Sequence, residues 1–258
     1  MNWSLPSSSI LTIPASGGRI ETLVRVSPVG LNVAWAPDSR HLAVGSRHGL
    51  YVVDLGTGSR KLVAHGNESS ADYSPSFSPD SNSLVYRLPR RGGSNIVVTD
   101  LKNGKSRLIA QSDVGAGGPV WGSEEIAFTS AGELWLIDGR GKHLRRFRNG
   151  AAKVTGVAGP LLWSADGAYI VAARAIVVGK MHLRAVRMPV FDIAKNRLRS
   201  VKPPTGWDYQ VALSRNGRIV LMGSCRHETT GEGVIAVPLA GGKPRTIVKD
   251  ACSASWNA

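Results

Sequence analysis

The sequence predicts an all-β protein, a six-bladed β-propeller of four-stranded blades, on three observations. An aromatic or apolar residue followed by a turn recurs at 35, 77, 121, 163, 213 and 256, giving intervals of 42, 44, 42, 50 and 43 residues. After each of the first five anchors come three short apolar runs separated by turn residues. No stretch carries the 3.6-residue spacing of an amphipathic helix, whereas strand-length apolar runs dominate. Four strand-like segments in a unit of about forty residues are the pattern of a propeller blade.

Taken in order, the first unit (31–64) runs from Trp35-Ala-Pro-Asp-Ser through HLAVGS and LYVVDLGTG to RKLVA. The second (73–110) repeats it as Phe77-Ser-Pro-Asp-Ser, SLVYRL, NIVVTDLKNG and SRLIA. The third (117–148) has Trp121-Gly-Ser-Glu-Glu, EIAFTS, ELWLIDGRG and HLRRF, and so lacks the Pro-Asp pair. The fourth (159–201) has Trp163-Ser-Ala-Asp-Gly, AYIVAAR, VFDIAKN and RLRSV. The fifth (209–249) opens on Leu213-Ser-Arg-Asn-Gly, without an aromatic, and continues RIVLMGS, VIAVPLAGG and RTIVK. A sixth blade is expected from both ends of the chain, Trp256 within 252–258 plus residues 1–25, where ILTIP and GGRIETLVR match a third and a fourth strand. Closure by N- and C-terminal strands would leave no exposed sheet edge at the join. One propeller domain over 1–258 is the expected organisation.

The turn chemistry explains the repeated phrase. A large ring buries considerable area between blades, and the chain must then reverse. Proline presets φ at the first corner, and Asp or Ser hydrogen-bonds the turn backbone. Asp38, Asp80 and Asp166 are read as turn-formers on this ground, not as catalytic acids.

Aromatic-Ser-Pro-Asp-Ser followed by an apolar strand, as at Phe77 and in the variant Trp35-Ala-Pro-Asp-Ser, resembles the WD40-like repeat of TolB-type propellers. The resemblance covers nearly the whole chain and implies the fold. In that family the propeller follows a secretion signal and a separate N-terminal domain, and neither is seen here, so a Tol–Pal envelope role is not implied. Prolyl oligopeptidases carry similar propellers beside a hydrolase domain, but no G-x-S-x-G nucleophile elbow occurs in this chain.

Composition bounds the function classes. The 258 residues are 42% hydrophobic and 19% charged, as in a folded protein rather than a disordered one. No run approaches the roughly twenty apolar residues of a membrane-spanning helix. The N-terminus has no basic segment followed by an apolar core, so a cytoplasmic location is the default, and a periplasmic or extracellular one holds if the chain belongs to a longer precursor. Cys225 and Cys252 are too few for a disulfide framework. A formal charge of +14 invites an acidic partner, yet the cations are scattered, which favours a solvated basic surface and disfavours nucleic acid.

Within the family resembled, one face carries the turns after the first and third strands, and the opposite face carries the hairpins after the second. Binding sites concentrate on such loops. Two hairpins share an Arg-His pair, Arg47-His48 and Arg226-His227, a third holds Arg90-Arg91, and Trp207 and Tyr209 of the inter-blade loop 203–209 are expected to add an aromatic contact. Convergence of the three would build a cationic rim for an acidic or phosphorylated ligand. The segment 173–184 reads as an irregular insertion in the fourth blade. No catalytic residues, no metal ligands and no cofactor are expected: the six histidines lack ligand spacing, and no Gly-rich phosphate loop opens a helix. The functional reading is a non-catalytic scaffold that binds a protein or peptide partner through one loop face. The alternatives are a lyase or hydrolase with its site in the central channel, needing His48, His182 and His227 to meet, and a polyanion-binding propeller.

Overall fold

The computed structural model describes residues 8–12, 19, 21–26, 32–66, 73–112, 118–147, 161–164, 167–172, 174–178, 182–201, 209–214, 217–224, 233–240 and 242–249. Two strands come first, β1 (Ser8–Thr12) and β2 (Glu21–Val26), paired antiparallel as a two-stranded sheet. Blade 1 is β3 (Asn32–Trp35), β4 (His41–Ser46), β5 (Gly49–Asp54) and β6 (Arg60–His65). Blade 2 is β7 (Ser76–Phe77), β8 (Ser83–Arg90), β9 (Gly93–Asp100) and β10 (Ser106–Ser112). Blade 3 is β11 (Val120–Trp121), β12 (Glu125–Ser130), β13 (Glu133–Asp138) and β14 (Arg145–Arg146).

Blade 4 is β15 (Leu162–Trp163), β16 (Tyr169–Val171), β17 (Arg174–Val178), β18 (His182–Asp192) and β19 (Arg197–Val201). Blade 5 is β20 (Tyr209–Leu213), β21 (Ile219–Ser224), β22 (Gly233–Pro238) and β23 (Arg245–Lys249). All pairings are antiparallel. The first strands β3, β7, β11, β15 and β20 stand beside one another in turn, so the blades radiate from a common axis and the fourth strands form the outer wall.

The structure therefore has five blades, not the expected six. Of the four strands assigned to the sixth, only β1 and β2 lie among the described residues; Trp256 and the first seven residues lie outside them. The two-stranded sheet meets blade 1 through Ile10, which packs against the cluster of Leu42, Val44 and Val53. A second correction concerns blade 4. Within 173–184, read as irregular, residues 174–178 form β17 and residues 182–184 begin β18, and the two strands pair as a hairpin that extends the second and third strands beyond the blade. The cause is the β-branched run Ile176-Val177-Val178 before Gly179-Lys180, which suits a ladder as well as a loop.

Period-two alternation sends each strand's side chains to two seams. Ala43, Leu50 and Val52 of blade 1 pack on Tyr73, Phe77, Leu84 and Tyr86 of blade 2. The other faces of β4 and β5 contribute Leu42, Val44 and Val53 to the cluster that holds Ile10. Blades 2 and 3 meet through Val85, Ile96 and Val98 against Ile126, Phe128 and Ile137. Blades 3 and 4 share Leu134, Leu136 and Phe147 with Ile170 and Phe191, and blades 4 and 5 share Met188 and Val190 with Val220 and Met222. The anchors follow one rule: Trp35, Phe77, Trp121, Trp163 and Leu213 each pack toward the sheet that precedes their own blade.

Close approach accompanies those rings. A Cβ on Gly122 of blade 3 would lie 2.6 Å from two ring carbons of Trp163 in blade 4, so only glycine lets the indole seat there.

Candidate functional site: the hairpin face and the turn face

The turn face is self-contained. Asp54, ending β5, accepts the Gly56 and Thr57 N–H groups, each at 2.9 Å. Asp100, ending β9, accepts those of Lys102 (2.8 Å) and Asn103 (3.2 Å). Asp138, ending β13, accepts those of Arg140 (2.9 Å) and Lys142 (2.7 Å). In the Pro-Asp turns, Asp38 accepts the Arg40 and His41 N–H groups, and Asp80 accepts Asn82 N–H and the Ser78 hydroxyl at 2.6 Å. The assignment of Asp38 and Asp80 to turns is thus what the geometry shows; Asp166 lies outside the described residues.

Hydrogen bonds to a carboxylate favour its charged form. The Thr57 N–H, against a smaller opposing cost of burial and with help from Arg40, holds Asp54 down to about 2. The Ser78 hydroxyl and Asn82 do the same for Asp80, also to about 2. For Asp38 burial is the largest influence and raises the value, but the His41 side chain and the turn N–H groups together outweigh it. His41 bridges two of these turns, with Nδ1 2.6 Å from Asp38 Oδ2 and Nε2 3.8 Å from Asp54 Oδ2, while Arg40 pairs with Asp54 at 3.0 Å. These carboxylates are occupied by their own turns.

The hairpin face differs. In blade 1 the two-residue hairpin Arg47-His48 is closed by the Ser46–Gly49 pair. Its backbone is tied down from three sides: Ser46 Oγ accepts His48 N–H at 3.2 Å, and the His48 carbonyl accepts the Tyr51 hydroxyl at 3.3 Å and the Gly66 N–H at 3.1 Å. Gly66 lies so close beneath the hairpin that a Cβ there would be 2.0 Å from the Arg47 carbonyl oxygen. The side chains of Arg47 and His48, by contrast, are exposed. Blade 2 turns at Arg91-Gly92 between the paired Arg90 and Gly93, and Gly92 has φ of 78°. Arg90 Nη1 donates to the Arg91 carbonyl at 3.2 Å, and both arginines are exposed. A rigid backbone thus presents four polar side chains from two neighbouring blades on one face. In blade 3 the equivalent turn is the uncharged Ala131-Gly132.

The remaining expected residues are placed less fully. Tyr209 opens β20 opposite Gly223, while Trp207, Arg226 and His227 lie outside the described residues. His48 is at the tip of blade 1's hairpin and His182 begins β18 opposite Val178, so the two belong to hairpins of blades 1 and 4. Among the described residues no group of three or more His, Cys, Asp and Glu is arranged to hold a metal ion, and no helix is long and apolar enough to cross a membrane.

One organised set of cations is not among the residues the sequence singles out. Lys61, Arg107, Arg145, Arg199 and Arg245 occupy one register position of the fourth strand, opposite Val52, Val98, Leu136, Val190 and Ala236. Three of them reach across a seam to the turn carbonyl of the next blade. Lys61 Nζ donates to Leu101 O, Arg107 Nη2 to Gly139 O, and Arg199 Nη1 to Leu239 O at 3.1 Å. Arg145 turns instead to Glu125 of its own blade, through two bonds of 3.1 and 2.8 Å. Their signal is a Lys or Arg early in each fourth strand, in RKLVA, SRLIA, HLRRF, RLRSV and RTIVK.

No family model matches the sequence. Among solved structures, TolB from Acinetobacter baumannii superposes with a TM-score of 0.75 at 18% identity, over 96% of this chain and 62% of that one. The chain thus spans about three fifths of that TolB. An oligogalacturonate lyase in complex with manganese gives a TM-score of 0.60 at 17% identity, over 89% of this chain and 68% of the other. A chain of a nidogen/laminin complex gives 0.64 at 13% identity, covering 92% and 86%. At these identities the likeness establishes the β-propeller fold that TolB also has, and that fold hosts many unrelated functions.

Proposed function

We propose that this chain is a non-catalytic propeller, one domain over 1–258, that binds a protein or peptide partner through its hairpin face. The observation that carries the reading is the contrast between faces. On the turn face, Asp54, Asp80, Asp100 and Asp138 are consumed in backbone hydrogen bonds, whereas on the hairpin face Arg47, His48, Arg90 and Arg91 stand exposed on a tied backbone. Exposed arginines on a hairpin backbone that is already held suit an acidic or phosphorylated segment, because little backbone entropy remains to be lost on binding. Arg226 and His227 of the fifth unit, with Trp207 and Tyr209 before its first hairpin, are proposed to complete the rim. The likeness to a chain of a nidogen/laminin complex adds a precedent for the architecture in a protein assembly.

A photo-crosslinking amino acid placed at Arg91, and separately at Lys102 on the turn face, tests this. A partner captured in cells at 91 and not at 102, and lost in an Arg47→Glu, Arg90→Glu variant, is the expected result. Capture at 102 alone, or cleavage of an oligogalacturonate by the purified chain, replaces the reading.

A further inference from the structure

The three large hydrophobic side chains most open to solvent among the described residues are Leu108 (55%), Leu144 (53%) and Leu62 (40%). All three lie on the outer walls of blades 1 to 3: Leu62 in β6, Leu108 in β10 and Leu144 just before β14. The walls are continuous across each seam. Lys61 bonds the turn that follows β9, Arg107 bonds the turn that follows β13, and a Cβ on Gly141 would be 3.3 Å from Ile109 of β10.

Comparisons within the molecule show that the fold does not require Leu62 and Leu108, whose register position holds Arg146 in blade 3. Leu62 and Leu108 occupy one register position, opposite Tyr51 and Val97, and the same position holds Ser200 in blade 4 and Thr246 in blade 5. An outer strand that only needed guarding against edge pairing would carry lysine and arginine there, not leucine. The strands and turns that carry these leucines also hold the exposed cations Lys105, Arg140 and Lys142. The nearby carboxylates of Asp100 and Asp138 are engaged inside their turns, the first by Asn103 Nδ2 as well as backbone, the second by His143 Nδ1 at 2.9 Å.

We infer that the outer wall of blades 1 to 3 is a second docking surface, one that takes an acidic segment of a partner protein carrying apolar residues between its carboxylates. Charge complementarity selects the acidic character, and the leucines select the apolar residues. A flexible chain fits the geometry better than a flat surface does. The blades radiate from an axis, so their outer walls face different directions, and a segment that bends can follow three of them where a bilayer plane cannot. A phosphate backbone would engage the cations and leave the leucines without a partner. This surface is separate from the hairpin face and does not depend on it.

The full-length chain is titrated by fluorescence anisotropy with a labelled fourteen-residue peptide of alternating Glu and Leu, a Glu/Ser peptide of equal length, anionic phosphatidylglycerol vesicles and a single-stranded RNA. The expected result is a preference of about tenfold for the Glu/Leu peptide over the Glu/Ser peptide, weakening as salt rises. The variant Leu62→Thr, Leu108→Ser, Leu144→Ser, whose first two changes copy the polar character of blades 4 and 5, should lose that preference and keep its melting temperature. The preference should persist in an Arg47→Glu, Arg90→Glu variant, in which the acidic-segment site proposed on the hairpin face is removed. Equal binding of the two peptides, no binding of either, retention of the preference in the leucine variant, or its loss in the hairpin variant would each overturn the inference. So would vesicles or RNA that bind more tightly than the Glu/Leu peptide.

Discussion

The seam between blades 2 and 3 and the seam between blades 3 and 4 are alike inside and differ at their outer cation. The first packs Val85, Ile96 and Val98 against Ile126, Phe128 and Ile137, with Trp121 beside them, and is clasped outside by Arg107 on the Gly139 carbonyl. The second holds an edge-to-face pair of Phe147 and Phe191, with centroids 5.1 Å apart and planes at 86°, and the Trp163 indole set against Gly122. Its outer cation, Arg145, is turned back onto Glu125. Both seams bury aromatic rings; they differ in the outer cation, which crosses the first seam and stays on its own blade at the second. The repeat thus tolerates loss of one outer clasp where the interior of the seam is well packed.

The largest test removes an interior ring. Phe191 is fully buried, so Phe191→Ala should cost about 3–5 kcal/mol in urea unfolding, through lost transfer energy and the cavity left behind. A loss below about 1 kcal/mol would mean that the seam does not rest on the aromatic pair.

The next test compares the cations. Arg107→Met should cost about 0.5–1 kcal/mol, because the Gly139 carbonyl loses a charged donor at an exposed site. Arg145→Met should cost less, near the median of about 0–1 kcal/mol for surface pairs, since its side chain is 50% exposed and bridges only its own blade. Equal losses would erase the distinction between a clasp and a surface ion pair.

The smallest effect concerns acid. Asp54 and Asp80 have folded values of about 2, below the unfolded value near 4. Their contribution to stability is therefore present above about pH 4 and is lost as pH falls toward 2. Asp54→Asn should lower stability slightly at pH 7 and flatten the acid limb of a stability–pH curve, because one titrating group is gone. A curve with the same acid limb as the parent would show that the turn carboxylates do not set it.

Much of this architecture is legible in the amino-acid order alone. The anchors at 35, 77, 121, 163 and 213 each begin a blade, and the Pro-Asp turns do what Pro and Asp do locally. The blade count is not legible there, since ILTIP and GGRIETLVR resemble strands whether or not a full blade assembles around them, and the structure pairs this region as a two-stranded sheet. The hairpin of blade 4 is equally hard to recognise, because an apolar run with a central Gly-Lys reads as a loop or as a ladder. Of the proposed rim, Arg47 and His48 can be assigned to a hairpin from Ser46 and Gly49, but their exposure, with the backbone pinned by Tyr51 and Gly66, requires the fold.

The sequence by itself determined the repeat, the turns and the inward alternation, because each is written within a few neighbouring residues. Only the tertiary structure decided which cations act as clasps and which leucines share a wall. Lys61, Arg107 and Arg199 find their acceptors 40, 32 and 40 residues away, and those acceptors are backbone carbonyls. A carbonyl is the same in every residue, so no letter of the sequence marks it as a partner until folding brings it into reach.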